Sequence, residues 1–350
     1  MQRADEPKRS SEFYRSLPKV DLHRHLEGSL RFSTLRELAR SQALDLPPTA
    51  ELRSMVQIQA GEPLTFENFL SKFSTLRLFY RSPEIITRIT REAIADAAAD
   101  NVRYLELRFT PVALSKAQGF SLAQVMDWVI DGTRNTQQEY GITTRLIASV
   151  NRHESPALAA QVSYLAAERI QAGIVGLDLA GNEADFPADP FVEIFKHARQ
   201  NGLHITIHAG EWGRGENISQ AICLFGADRI GHGIRILESP PAVELALREN
   251  TPLEVCITSN YQSGVIAPTE SHPITRMASL GLNVTINSDD PGISQITLGD
   301  EYRFACEALN WSMSAVRDRV IAAAKSSFLL KAERQELVRD LDARFSEHLI

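Results

Sequence analysis

Apolar residues along the chain gather into short dense runs rather than strict alternation. Eight such runs stand out, at residues 19–23, 102–109, 144–150, 174–179, 203–208, 228–231, 252–258 and 282–287. Most are rich in Val, Ile and Leu, the composition of strands buried on both faces of a parallel sheet. Helical patterns fill the gaps. A helix beginning at Pro83 runs into an alanine-rich stretch that ends near Asn101. Ser155-Pro156 reads as an N-cap followed by proline at the first helical position, and this helix reaches about Ala172 before Gly173. Asp189-Pro190 opens another that ends at Asn201-Gly202, and Ser239-Pro240-Pro241 opens one ending near Asn250.

Eight strands alternating with helices predict an α/β fold, a single (β/α)8 TIM barrel over residues 1–350, with its chemistry at the C-terminal ends of the strands. An open doubly wound sheet is the alternative, but no glycine-rich phosphate loop follows the first strand. Residues 45–81 are the longest insertion, after strand 1, and carry Phe66, Phe69 and Phe73 at helical spacing. They predict a helical lid over the barrel mouth, or else rings packed on the barrel wall. Residues 1–12 read as a polar N-terminal extension, and from about Gly299 onward extra C-terminal helices cap the domain.

Composition narrows the function classes. The chain is 43% hydrophobic and 23% charged with a net charge of −7, and it has no long basic run, which argues against nucleic-acid binding. Nothing approaches 18 consecutive apolar residues, and the polar N-terminus has no signal-peptide character, so a cytoplasmic protein without a membrane span is expected. Cys223, Cys256 and Cys306 are widely spaced with no CxxC pair, which disfavours a disulfide framework or a thiolate zinc site. Cys223 and Cys256 are expected to be small buried hydrophobes.

The candidate chemistry sits at strand ends. His23 and His25, at i and i+2 on one strand, point to the same face. His208 ends strand 5 in His-Ala-Gly-Glu211, His232 follows strand 6, and Asp289-Asp290 follows strand 8. Asp178 and Gly181 end strand 4. Taken singly, each has a bland reading: a half-buried strand for the HxH pair, a turn for Asp-Asp-Pro-Gly. Their joint placement on one barrel rim favours a metal site in which His23, His25, His208 and Asp289 offer three nitrogens and one oxygen. That set suits Zn2+, and Fe2+ or Mn2+ also fits it. Strand 4 carries no lysine that could bridge two metals, so one ion per chain is expected. His197 and His272 lie apart and read as structural or exposed.

Pro18-Lys-Val-Asp-Leu-His-Arg-His-Leu-Glu-Gly-Ser-Leu30, Asp178-Leu-Ala-Gly181, His208-Ala-Gly-Glu211, Gly231-His-Gly233 and Ser288-Asp-Asp-Pro291 together resemble the motif set of the adenosine deaminase family. The resemblance implies zinc held by His23, His25, His208 and Asp289, with a small purine nucleoside as partner. It also implies that Glu211 shares a proton with purine N1 and that His232 orients the water. Asp290 would accept a hydrogen bond from N7, and the Gly181 backbone N–H would meet N3. Glu27 and His25 would face the substrate, with Phe66, Phe69 and Phe73 forming its apolar wall. Glutamate at position 27, where adenosine deaminases often have aspartate, leaves adenine as an alternative substrate. Modified adenosines such as 6-amino-6-deoxyfutalosine or N6-methyl-AMP are others, and a non-catalytic purine-binding barrel is a remote one. Arg24 and Arg214 are candidates to meet a charged 5′ group.

Overall fold

The computed structural model describes residues 9–44 and 46–348. Eight parallel strands are hydrogen-bonded in sequence order: β1 (Lys19–His25), β2 (Val102–Phe109), β3 (Thr143–Asn151), β4 (Ile174–Ala180), β5 (His204–Ala209), β6 (Arg229–His232), β7 (Leu253–Val255) and β8 (Val284–Ile286). The chain just beyond β8 closes the ring onto β1. His25 N–H donates to the Asp289 carbonyl at 2.8 Å, and Asp289 N–H donates to the His23 carbonyl at 2.8 Å. Helices on the outside connect successive strands, as the predicted (β/α)8 barrel requires.

Strand alternation sorts the β2 residues into two sets. Tyr104, Glu106 and Arg108 share one face and enter a polar network with residues of other strands. Leu105, Leu107 and Phe109 share the other, and all six are fully buried. The Tyr104 hydroxyl donates to Glu106 at 2.7 Å, Glu106 pairs with Arg229, and Arg229 also meets Glu254. Glu254 in turn accepts from Arg108 Nη2 at 2.9 Å. Every charge here has a partner. Removing one member would leave a buried charge short of a partner, a loss of up to about 3–5 kcal/mol. This ion-pair column lies beneath the mouth formed by the C-terminal ends of the strands and connects to it through Glu254.

Local signals account for most helix boundaries. The Ser155 hydroxyl accepts from Leu158 N–H and Pro156 occupies the first turn, together worth about 1 kcal/mol as a cap. That helix stops at Ala167, and a separate 3-10 turn, Ile170–Ala172, finishes the segment predicted as one helix. The predicted seventh strand, 252–258, is shorter than expected. After Val255 the apolar run turns into the helix Ile257–Gln262, because the Ile257 and Thr258 N–H groups donate to the Glu301 carboxylate at 2.8 and 3.2 Å. Burial, not strand pairing, explains the apolar residues there. The insertion folds as two helices, Thr49–Val56 and Phe66–Leu76, followed by the 3-10 turn Arg77–Phe79. Asp45, at its start, lies outside the described residues, as do residues 1–8 of the predicted extension. The rest of that extension is not a tail: a helix starts at Ser11, and Tyr14 is buried in the core. Cys256 is buried as expected, whereas Cys223 is exposed on its helix. No helix among the described residues is long and apolar enough to cross a membrane.

Candidate active site

The strand ends bring the predicted residues to one mouth of the barrel. His23 Nε2 lies 3.3 Å from His25 Nε2, and both stand 3.4 Å from Asp289 Oδ1. The His208 ring sits 4.6 Å from that of His23, and a nitrogen from each of the three rings lies within 4.8 Å of the others. A cation bonded at about 2.0–2.1 Å with tetrahedral angles holds its ligands roughly 3.3–3.4 Å apart. His23, His25 and Asp289 match that spacing, and His208 adds a third nitrogen of the right type nearby, so the donor set fits one divalent cation.

The outward nitrogens of these rings are also fixed. His23 Nδ1 is 2.9 Å from Glu254, and His208 Nδ1 is 2.9 Å from Asp178. Burial would raise both carboxyls, but Arg108 and Arg229 hold Glu254 well below the usual range. His208 and Arg108 hold Asp178 low in the same way. A charged carboxylate only accepts, so each Nδ1 carries the proton and each Nε2 lone pair faces the centre. A second cluster of possible ligands, His23, His232, Cys256 and Asp289, overlaps the first. Cys256 is unsuited to it: burial pushes its thiol well up, and Sγ donates to the Glu254 carbonyl at 3.6 Å.

Backbone strain aims two of the side chains. His232 and Asp289 both adopt φ of +59°, a left-handed conformation uncommon outside glycine and concentrated at functional sites. Two glycines make room. A Cβ on Gly28 would fall 1.7 Å from Asp290 Oδ1, and one on Gly231 would come within 3.0 Å of His23 Cε1.

Burial, with Asp289 and Glu183 nearby, pushes the Glu211 carboxyl well above its usual range, which favours its protonated form. Burial, Asp289 and Glu27 do the same to Asp290. A neutral carboxyl there can donate as well as accept a hydrogen bond. Glu27 is buried, with Oε1 accepting from Thr110 N–H at 2.6 Å.

Asn260, unassigned from sequence, connects the proton-handling groups. Ile274 N–H can only donate, and it reaches His272 Nδ1 at 3.1 Å, so His272 carries its proton on Nε2. That proton goes to Asn260 Oδ1 at 3.2 Å. The Asn260 amide nitrogen then faces Glu211 Oε1 at 3.3 Å and His232 Nδ1 at 3.2 Å. His232 Nδ1 therefore accepts, and its proton sits on Nε2, which is 3.5 Å from Glu211 Oε2. His272 is buried and serves structurally by holding Asn260, and His197 is exposed as expected.

The His272 ring also makes a pH prediction. Burial pushes it from 6.5 down to about 3. Below pH 6.5 the unfolded chain takes a proton on this ring while the folded chain refuses it. Its contribution to stability is therefore complete above pH 6.5 and falls as pH drops, by about 1.4 kcal/mol per unit, until about pH 3. Denaturant unfolding measured from pH 7 to 4 should show that slope, and His272→Gln should flatten it by about one proton. An unchanged slope in the variant would refute the assignment.

The pocket beside the metal-capable cluster is lined by His25, Glu27, Phe69, Phe73, Gly181 and Asp290, among others. Phe66 does not line it. Its ring packs on Trp212 at 4.7 Å and rests the lid on the loop after β5. Glu183, also unassigned from sequence, braces that loop by accepting from the N–H groups of Gly210, Glu211 and Gly213 at 2.7–3.1 Å. Arg24 turns away from the pocket, with its Nε donating to Ser29, and Arg214 is exposed outside it. The cation that does line the pocket is Arg77. A larger cavity of about 850 Å³, lined by Asp228, Pro252 and Asn283, lies ahead of the strands, at the opposite end from this mouth.

These features match known proteins over nearly the whole chain. The adenosine deaminase family model matches residues 18–344. An adenosine deaminase of Shigella flexneri is 35% identical over 332 residues, covering 94% of this chain and 99% of that protein. An adenine deaminase of Arthrobacter aurescens superposes with a TM-score of 0.86 at 28% identity, covering 93% of this chain and 98% of the other. The N6-methyl-AMP deaminase of Arabidopsis thaliana does so with a TM-score of 0.83 at 30% identity, covering 95% and 98%. Carrying that family's motifs on the rim of a (β/α)8 barrel, the chain belongs to the adenosine deaminase family of metal-dependent hydrolytic deaminases.

Proposed function

We propose that this purine deaminase converts adenosine and 2′-deoxyadenosine to inosine and 2′-deoxyinosine with release of ammonia, using one zinc ion held by His23, His25, His208 and Asp289. The observation that carries this reading is the buried Glu211, its carboxyl pushed upward, lining the same pocket as His25, His208 and Asp289. A zinc ion there supplies the Lewis acidity that makes a water nucleophilic near neutral pH. The remaining work falls to the chain's own groups. Protonated Glu211 donates to N1, which breaks the conjugation of the ring amidine and exposes C6 to attack. The His232 Nε2–H donates to the oxygen that bonds to C6, and so orients it instead of acting as a base. Protonated Asp290 donates to N7, and the Gly181 N–H faces N3. As its oxygen bonds to C6 the water gives up two protons: one replaces the proton that Glu211 passed to N1, and the other joins the amino group, which leaves as ammonia when the C6–N bond breaks. Phe69 and Phe73 exclude water above the base, and Glu27 Oε2, buried without a partner, is left for the sugar.

Adenine or a modified adenosine, 6-amino-6-deoxyfutalosine or N6-methyl-AMP, is the second reading. Glutamate at position 27 and the likeness to an adenine deaminase and an N6-methyl-AMP deaminase support it. Turnover of these substrates measured beside adenosine tests both readings: adenosine should have the highest kcat/KM among neutral substrates, and preference for the free base would reverse the order. Asn260→Ala should lower kcat by about 10–100-fold with little change in KM, because it frees Glu211 and His232 without touching substrate. An equal loss confined to KM would contradict that role.

A further inference from the structure

Arg77 is the only lysine or arginine among the residues lining the pocket, which otherwise presents Glu27, Glu211, Asp289 and Asp290. The lid's last 3-10 turn carries it. Its side chain is half-buried and its Nε is fully buried, yet among the described residues its guanidinium has no hydrogen-bond or ion-pair partner. Leaving a buried donor unmet costs about 1–3 kcal/mol, so such a group is kept where something else meets it. Arg77 is close enough to Glu27 for its charge to oppose the upward push of burial on that carboxyl, but it forms no ion pair with it. The neighbouring Tyr80 hydroxyl is likewise buried without a partner. An unsatisfied guanidinium and Glu27 Oε2 thus share the part of the pocket assigned to the sugar, with the Tyr80 hydroxyl buried behind them.

We propose that Arg77 makes this pocket selective for 6-aminopurine nucleosides that carry an anionic oxygen group on the sugar, a 5′-phosphate or a 5′-linked carboxylate. The inference rests on the deaminase reading and narrows its substrate class. A guanidinium fork binds either anion in two-point fashion, and it does so more strongly where it is partly dehydrated. A neutral nucleoside leaves the fork unmet.

The test compares kcat/KM for adenosine, adenosine 5′-monophosphate and adenosine 5′-carboxylate in the wild type, Arg77→Gln and Arg77→Lys. The wild type should favour at least one anionic substrate over adenosine by about tenfold or more, and which one it favours tells phosphate from carboxylate. Arg77→Gln should bring that ratio close to one, and Arg77→Lys should keep part of it. Calorimetric binding of inosine 5′-monophosphate against inosine reads the phosphate arm without turnover. Tighter nucleotide binding with no deamination would sink the deaminase reading and keep this one. Equal handling of neutral and anionic ligands by the wild type, or a ratio unmoved by Arg77→Gln, would overturn it.

Discussion

Glu211→Gln should cut adenosine turnover by about 10²–10⁴-fold and leave the bound metal in place. Glutamine keeps the shape of the side chain and the contact with Asn260, which lies 3.3 Å from Oε1. It cannot release a proton to N1. The loss should fall on kcat rather than on KM, since the unprotonated ring still fits the pocket. The variant's metal content, measured on the same sample, separates this from a collapse of the site. Turnover within a few-fold of wild type would mean that the ring is activated by some other group, and the protonated state argued for Glu211 would have no purpose.

Stripping the metal should abolish deamination, and zinc should restore it. Without an ion, the buried rings of His23, His25 and His208 crowd around one carboxylate, and hydrogen bonds to Asp289 and Glu254 push His23 up despite its burial. Burial pushes His25 and His208 down, so these rings stay neutral. The site is thus preorganised for a cation and uncomfortable without one. Binding should also raise thermal stability, by about 4 kcal/mol when free metal exceeds its Kd a thousandfold. His208→Ala should remove both effects, because it deletes one nitrogen and frees Asp178, whose carboxylate is otherwise 2.9 Å from that ring. An apo protein with the same melting temperature and full activity would contradict the assignment of these four residues.

Much of this architecture is legible from sequence because its signals are contiguous. Buried parallel strands write themselves as dense apolar runs, and seven of the eight runs match strands to within a residue or two. The exception is 252–258, where the apolar residues beyond Val255 are buried in a helix and only Leu253–Val255 pair as a strand. Motifs such as His-Arg-His, His-Ala-Gly-Glu and Ser-Asp-Asp-Pro are readable because each strand end delivers its ligands together. The groups that hold those ligands are not. Glu254 supports His23 from 231 positions away, and no local pattern marks a glutamate in a strand as a partner of a histidine. Asn260 was hidden in the same way, as was the braced loop at Glu183. Arg77 was missed because a lone arginine after an apolar helix reads as surface, whereas the lid folds it inward. Protonation preferences, too, depend on burial, as the upward push on Glu211 and Asp290 shows.

The central claim is that one cation, held by His23, His25, His208 and Asp289, supports hydrolytic deamination of adenosine. Zinc titrated into metal-free protein, with ammonia release from adenosine followed at each addition, tests it most directly. The account predicts that activity rises linearly and saturates at one ion per chain. Full ammonia release before any zinc is added, or saturation only at two ions, would contradict it.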